Sequence, residues 1–161
     1  MVQESNIIRK SNILITFGLT NFKFNRLIDS LKKLNIFEKE NKLSPEVFIY
    51  FIKNSKKIIS HAGPGTIYLI TKNAKYMPLI IPRMAKFKEH VDDHQVFFAK
   101  FLRKKLPKKL KKYIVIKENI DKDLINYLKE KPKKNILKKY LFNKSKNSKS
   151  KIIFNQLIKN L

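Results

Sequence analysis

Three short, mainly apolar runs constrain this fold most: Asn12 to Phe17 (NILITF), Ile58 to His61 (IISH) and Pro78 to Pro82 (PLIIP). The first two run into glycine, at Gly18 and Gly63, and the third lies between prolines. Runs this short and this apolar read as strands buried on both faces. Segments of helical period separate them. Leu27, Ile28, Leu31 and Leu34 predict a helix over Phe24 to Phe37, and Ser44-Pro45 predicts the start of a second, with Phe48, Phe51 and Ile52 inward. Further helices are expected from near Thr66, over Asp93 to Lys105 and over Asp121 to Leu128, and a further strand at Tyr113 to Ile116 (YIVI). Strands alternating with helices predict an α/β fold with a parallel sheet, which binds ligands beyond the carboxyl ends of its strands. The expected organisation is one Rossmann-like domain over residues 11–130 and a basic tail over 131–161. Within the tail, Lys144 to Lys151 (KSKNSKSK) reads as a flexible linker and Ile152 to Leu161 as a short helix.

A chain of 161 residues with 43% hydrophobic content supports one packed domain. Without cysteine it can hold neither a disulfide nor a thiolate metal site, which fits a reducing compartment. No run reaches the length of a membrane span, and MVQESNIIRK does not read as a signal peptide, so a cytoplasmic protein is expected. The net charge of +25 suggests nucleic acid first. The lysines are, however, spread along most of the chain beside abundant Asn and Ile, and no RNA-binding aromatic signature interrupts them. No nucleic-acid partner is expected. An anionic membrane surface fits better, at about 1 kcal/mol per basic residue near it.

The rare residues are concentrated. The glycines are Gly18, Gly63 and Gly65, all just after expected strands, and the histidines are His61, His90 and His94, all within 34 residues. That window also holds Glu89, Asp92 and Asp93, three of only twelve acids. In His61-Ala62-Gly63-Pro64-Gly65-Thr66, glycine lets backbone approach an anion, and a helix start behind it aims N–H groups and a positive dipole end at the charge. Thr66 either caps that helix or donates its hydroxyl to a phosphate oxygen. It is neither a Walker loop nor GxGxxG. The second segment, Arg83 and then Glu89-His90-Val91-Asp92-Asp93-His94-Gln95, reaches the same sheet edge if its strand is parallel and adjacent. Its carboxylates and Gln95 suit sugar or ribose hydroxyls. Two histidines and two aspartates also suggest a metal, but HExxH is absent and no metal is expected. The stripe Phe97, Phe98, Phe101 and Leu102, interleaved with Lys100, Arg103, Lys104 and Lys105, reads as core or as a membrane-facing helix, and core is preferred.

In ILITFGLTNFKFNRLI, LSPEVFIYFIKNSKKIISHAGPGTI and PLIIPRMAKFKEHVDDHQ, the chain resembles the C-terminal domain of glycosyltransferase family 28. It is most similar to the short stand-alone subunits of bacterial exopolysaccharide and capsule synthesis. More distantly, it is similar to the catalytic subunit of the dolichol-pathway N-acetylglucosaminyltransferase. The resemblance implies one half of a GT-B fold, with a UDP-sugar held at Gly63, Pro64, Gly65 and Thr66. Gly18 and Thr20 would line the opposite wall, and Arg83, His94 and Gln95 would border the donor pocket. His61, Glu89, His90, Asp92 and Asp93 complete the expected donor site, with His61, Glu89 and His94 as candidate catalytic residues. No metal or cofactor is implied beyond the donor itself, because helix end and amides offset the leaving charge.

The implied activity is hexosyl transfer to a lipid-linked saccharide acceptor by a peripheral protein at the inner face of the membrane. A GT-B enzyme has two facing halves, so a membrane-anchored second glycosyltransferase subunit would supply the other. The chain departs from the family in three places: Asn35 to Leu43 stands where an extra strand with a Gln-containing loop is usual, Tyr68-Leu69 where a ribose-binding acid is usual, and Lys72 to Met77 is longer. Two alternatives remain: a non-catalytic donor-binding or stabilising companion of a membrane glycosyltransferase, and a basic nucleic-acid or membrane-surface binder.

Overall fold

In the computed structural model, residues 5–10, 12–18, 22–37 and 41–141 are described. Thr20 and the expected linker and helix of residues 144–161 lie outside them. Strands β1 (Ser5–Lys10), β2 (Ile13–Gly18), β3 (Asn41–Leu43), β4 (Lys57–His61) and β5 (Leu79–Ile81) form one sheet in the order β3-β1-β2-β4-β5. The three apolar runs form its parallel half: Ile15 faces Ile59, and Ile59 faces Leu79. Every residue of β4 and β5 is buried, as continuous apolar runs require. Even Lys57 is buried, and it survives there because its Nζ donates to the carbonyls of Tyr127 and Glu130.

Helices α1 (Asn25–Lys33), α2 (Pro45–Asn54), α3 (Pro64–Asn73), α4 (His94–Lys105) and α5 (Asp121–Lys129) alternate with the strands, as the periodicity predicts. α1 packs Leu27 and Leu31 into the core and stops earlier than expected, because Asn35 turns left-handed at φ 54°. α3 begins two residues earlier than expected, at Pro64, because proline without an N–H suits a first helical position. α4 splits its aromatic stripe. Phe98 and Leu102 are core, while Phe97 is 67% exposed.

Three expectations are corrected. The sheet begins at Ser5, not at residue 11: β1 runs antiparallel between β2 and β3, and the Asn35 to Leu43 segment contributes β3 at the sheet edge, on the far side of β1. Tyr113 to Ile116 is not a strand. Lys108–Tyr113 winds as a 3-10 helix, and only one parallel bridge, Ile80 to Ile114, joins β5 before the chain leaves toward Arg26, whose Nη1 donates to the Lys117 carbonyl. The basic tail does not begin at 131. Met77 N–H donates to the Lys133 carbonyl at 2.8 Å, and Leu137, at the start of α6 (Leu137–Leu141), is core. Asn135 Nδ2 donates to the carbonyls of Ile70 and Ala74, closing the end of α3. Among the described residues, no helix is long and apolar enough to cross a membrane.

Candidate functional site

β2 and β4 are adjacent and parallel, so Gly18 and His61 come out at the same carboxyl edge of the sheet. The chain after His61 needs only Ala62 and Gly63 to turn into α3. His61 organises this turn. Its Nδ1 accepts the Gly63 N–H at 3.0 Å, so the ring proton sits on Nε2, which donates to Thr66 Oγ1 at 3.1 Å. Burial first, then the positive charge of Arg83, pushes the ring from 6.5 down to about 3. His61 is therefore a neutral brace.

Two of the three glycines exist because of that ring. A Cβ on Gly18, whose φ is +87°, would stand 2.9 Å from the imidazole, and one on Gly63 would stand 2.2 Å from it. A Cβ on Gly65 would meet nothing within 4 Å. Gly65 thus faces open space in the first turn of α3, where the Gly65 and Thr66 N–H groups have no intrahelical acceptor. This is the geometry of an anion cradle.

The segment after β5 supports the cradle from below. Gln95 Oε1 accepts the N–H of Ala62 at 3.2 Å and of Arg83 at 3.3 Å, clamping the ends of β4 and β5. Arg83 is fully buried, with its guanidinium on the Phe17 carbonyl and 5.7 Å from the centre of the Phe24 ring. It fixes the backbone just before Gly18. Asp93 accepts the Ala85 N–H. These three side chains bond within the protein and position the site.

Glu89, a candidate catalytic acid, is 0% exposed. It accepts from the Arg26 backbone and guanidinium and from the Met84 N–H, at 2.8–3.1 Å. A carboxylate so enclosed ties the loop to α1 and has no face left for a sugar. No local motif marks Arg26. The available signal was scarcity: arginine occurs only at 9, 26, 83 and 103 amid lysines, and Arg26 and Arg83 both place their guanidinium groups inside the protein.

His90 and His94 stand at the rim, with rings 4.4 Å apart and edge to face, and both turn toward Asp92. Burial and the neighbouring His94 push His90 below its ordinary range, while the His94 N–H and ring hold Asp92 below the usual carboxylate range. Of the candidate catalytic residues, only His94 is exposed. The structure thus brings Gly18, His61, Gly63 to Thr66, His90, Asp92 and His94 toward one edge. A cavity of about 360 Å³ lined by Tyr113, Asp123, Tyr127 and Glu130 lies at the other end of the sheet, near Lys57, where β4 begins.

Residues 49–159, more than two thirds of the chain, match the family model described as the glycosyltransferase family 28 C-terminal domain. No curated protein and no solved structure matches the chain. The match runs from within α2 through α6, with the cradle, His61 and the His90 to Gln95 segment, while β2 supplies Gly18 from outside it. A glycine-opened helix end at the carboxyl edge of a parallel sheet, together with that match, makes this chain a member of glycosyltransferase family 28.

Proposed function

We propose that the chain is the donor-binding half of a two-part glycosyltransferase that takes a UDP-sugar and passes the sugar to a lipid-linked saccharide. The observation that carries this is the open face at Gly65 on the first turn of α3. The Gly65 and Thr66 N–H groups and the helix dipole offset the charge of the diphosphate leaving group, so this reading requires no metal for transfer. The sugar lies toward His90 and His94. The second half comes from a membrane-anchored partner subunit facing the carboxyl edge.

Peripheral attachment to an anionic membrane is part of the same proposal. Phe97, 67% exposed, has Lys100 Nζ 5.9 Å from its ring centre, and Lys100 lines a basic cleft with Arg103, Lys104 and Lys111 on and beside α4. Apolar and basic groups together suit a lipid interface.

The test is calorimetric titration of the full chain with UDP, followed by sugar-transfer assay in membranes that co-express the partner. Saturable UDP binding that Gly65→Asp abolishes is the expected result. Equal binding by wild type and variant overturns the site. One observation favours the companion reading, namely that His61 and Glu89 are both committed to structural bonds. Transfer unchanged by Gly65→Asp and by His94→Ala would establish that reading instead.

A further inference from the structure

The loop before α4 and the first residue of that helix gather a set of possible metal ligands at the rim of the proposed donor site. His90, Asp92 and His94 each offer one ligand atom, and these three atoms all lie within 4.8 Å of one another. Both ring nitrogens face the same Asp92 Oδ1, His90 at 3.5 Å and His94 within hydrogen-bond contact. The His94 backbone N–H also donates to that oxygen at 3.0 Å, so the carboxylate is held in place by its own turn. His90 Nδ1 is buried and has no hydrogen-bond partner among the described residues. A cation placed among the three side chains would take the otherwise unbonded His90 Nδ1 as a ligand together with Asp92 and His94.

We propose that His90, Asp92 and His94 form a three-ligand site for a divalent transition-metal ion of the zinc class. Ligand atoms about 2.1 Å from a tetrahedral ion stand about 3.4 Å apart, close to the His90–Asp92 spacing, while the His94–Asp92 contact has to open slightly. Two imidazoles and one carboxylate select zinc, nickel or copper over magnesium or calcium. Asp92 is 60% exposed, so the ion enters from solvent and keeps an open position for water or an anionic oxygen. The site stands on its own residues, whether or not the neighbouring loop holds a diphosphate.

The chain suits a clean test. It has no cysteine, and both ring nitrogens of its remaining histidine, His61, are engaged. The full chain is titrated with Zn²⁺ by calorimetry and with Co²⁺ by visible absorption, at neutral pH and moderate salt. One ion per chain is expected, with Asp92→Asn and His94→Ala each weakening Zn²⁺ by about tenfold or more. Both side chains are at the surface, and a thermal melt without metal checks that the variants fold as wild type does. A Zn²⁺-dependent rise in melting temperature, lost in both variants, is also expected. Absence of Zn²⁺ binding, or binding undiminished in the folded variants, overturns the site.

Discussion

The three glycines give the account its most discriminating prediction, because the structure assigns them opposite behaviour. Gly63→Ala puts a methyl group 2.2 Å from His61 Cε1. The ring is held at both nitrogens, so relief requires breaking its bonds to the Gly63 N–H and to Thr66, or shifting the backbone. Two lost hydrogen bonds at about 1 kcal/mol each and overpacking of about 1–3 kcal/mol give an expected loss of roughly 3–5 kcal/mol. Gly18→Ala adds a left-handed backbone penalty of about 1 kcal/mol or more to a 2.9 Å contact and should be comparably damaging. Gly65→Ala meets nothing within 4 Å and replaces glycine inside a helix. It should leave stability unchanged or raise it by up to about 1 kcal/mol, a rise of about 2–4 °C in Tm. Yet its methyl group occupies the space a diphosphate would use, so UDP binding should fall while folding does not. Urea denaturation and UDP calorimetry on the three variants measure both. Equal destabilisation by Gly65→Ala and Gly63→Ala, or full UDP affinity in a stable Gly65→Asp variant, would refute the reasoning.

Acid should loosen the site through His61. Its folded value is depressed from 6.5 to about 3, so the folded state opposes protonation and stability is lost as pH falls through that window. At about 1.4 kcal/mol per pH unit the upper bound is roughly 5 kcal/mol, and urea midpoints measured at successive pH values give the slope. A flat profile from neutral pH to the acid end of that window would contradict the buried neutral ring. Glu89→Gln leaves the buried Arg26 guanidinium without its counter-charge and should cost about 3–5 kcal/mol, with Arg26→Met/Glu89→Met costing less than the single changes combined. Additive losses in that double-mutant cycle would show that the pair does not act as a unit.

The parallel half of the fold was legible because buried parallel strands carry their own signature. NILITF, IISH and PLIIP are apolar on both faces, and no helix of useful length fits between their glycines and prolines. β1 offered no such signature. It gains its place by pairing on both edges, Ile7 and Ile8 are its apolar core residues, and its register is set by partners in β2 and β3. YIVI misled for the opposite reason. Tyr113, Ile114 and Val115 are buried as a strand would be, but Tyr113 ends a 3-10 helix and only Ile114 and Val115 meet β5, without extending into a strand.

The site was legible as a gathering and less so as a set of roles. Glycine at strand ends and clustered histidines marked the right edge of the sheet. Whether an acid there meets ligand or protein depends on partners remote in sequence, and Glu89 is bound by Arg26, 63 residues away. Asn135 likewise acts on α3 from 61 and 65 residues away, in a stretch whose lysine content reads as tail. Local pattern contains neither pairing.

The central claim is that a diphosphate binds through the Gly65 and Thr66 amides, and amide chemical shifts of the ¹⁵N-labelled full chain during titration with UDP test it most directly. The account predicts saturable shifts largest at Gly65 and Thr66 and present at Gly18 and His94. Shifts confined to the Tyr113, Tyr127 and Glu130 cavity or to the lysines of α4, with Gly65 and Thr66 unmoved, would contradict it.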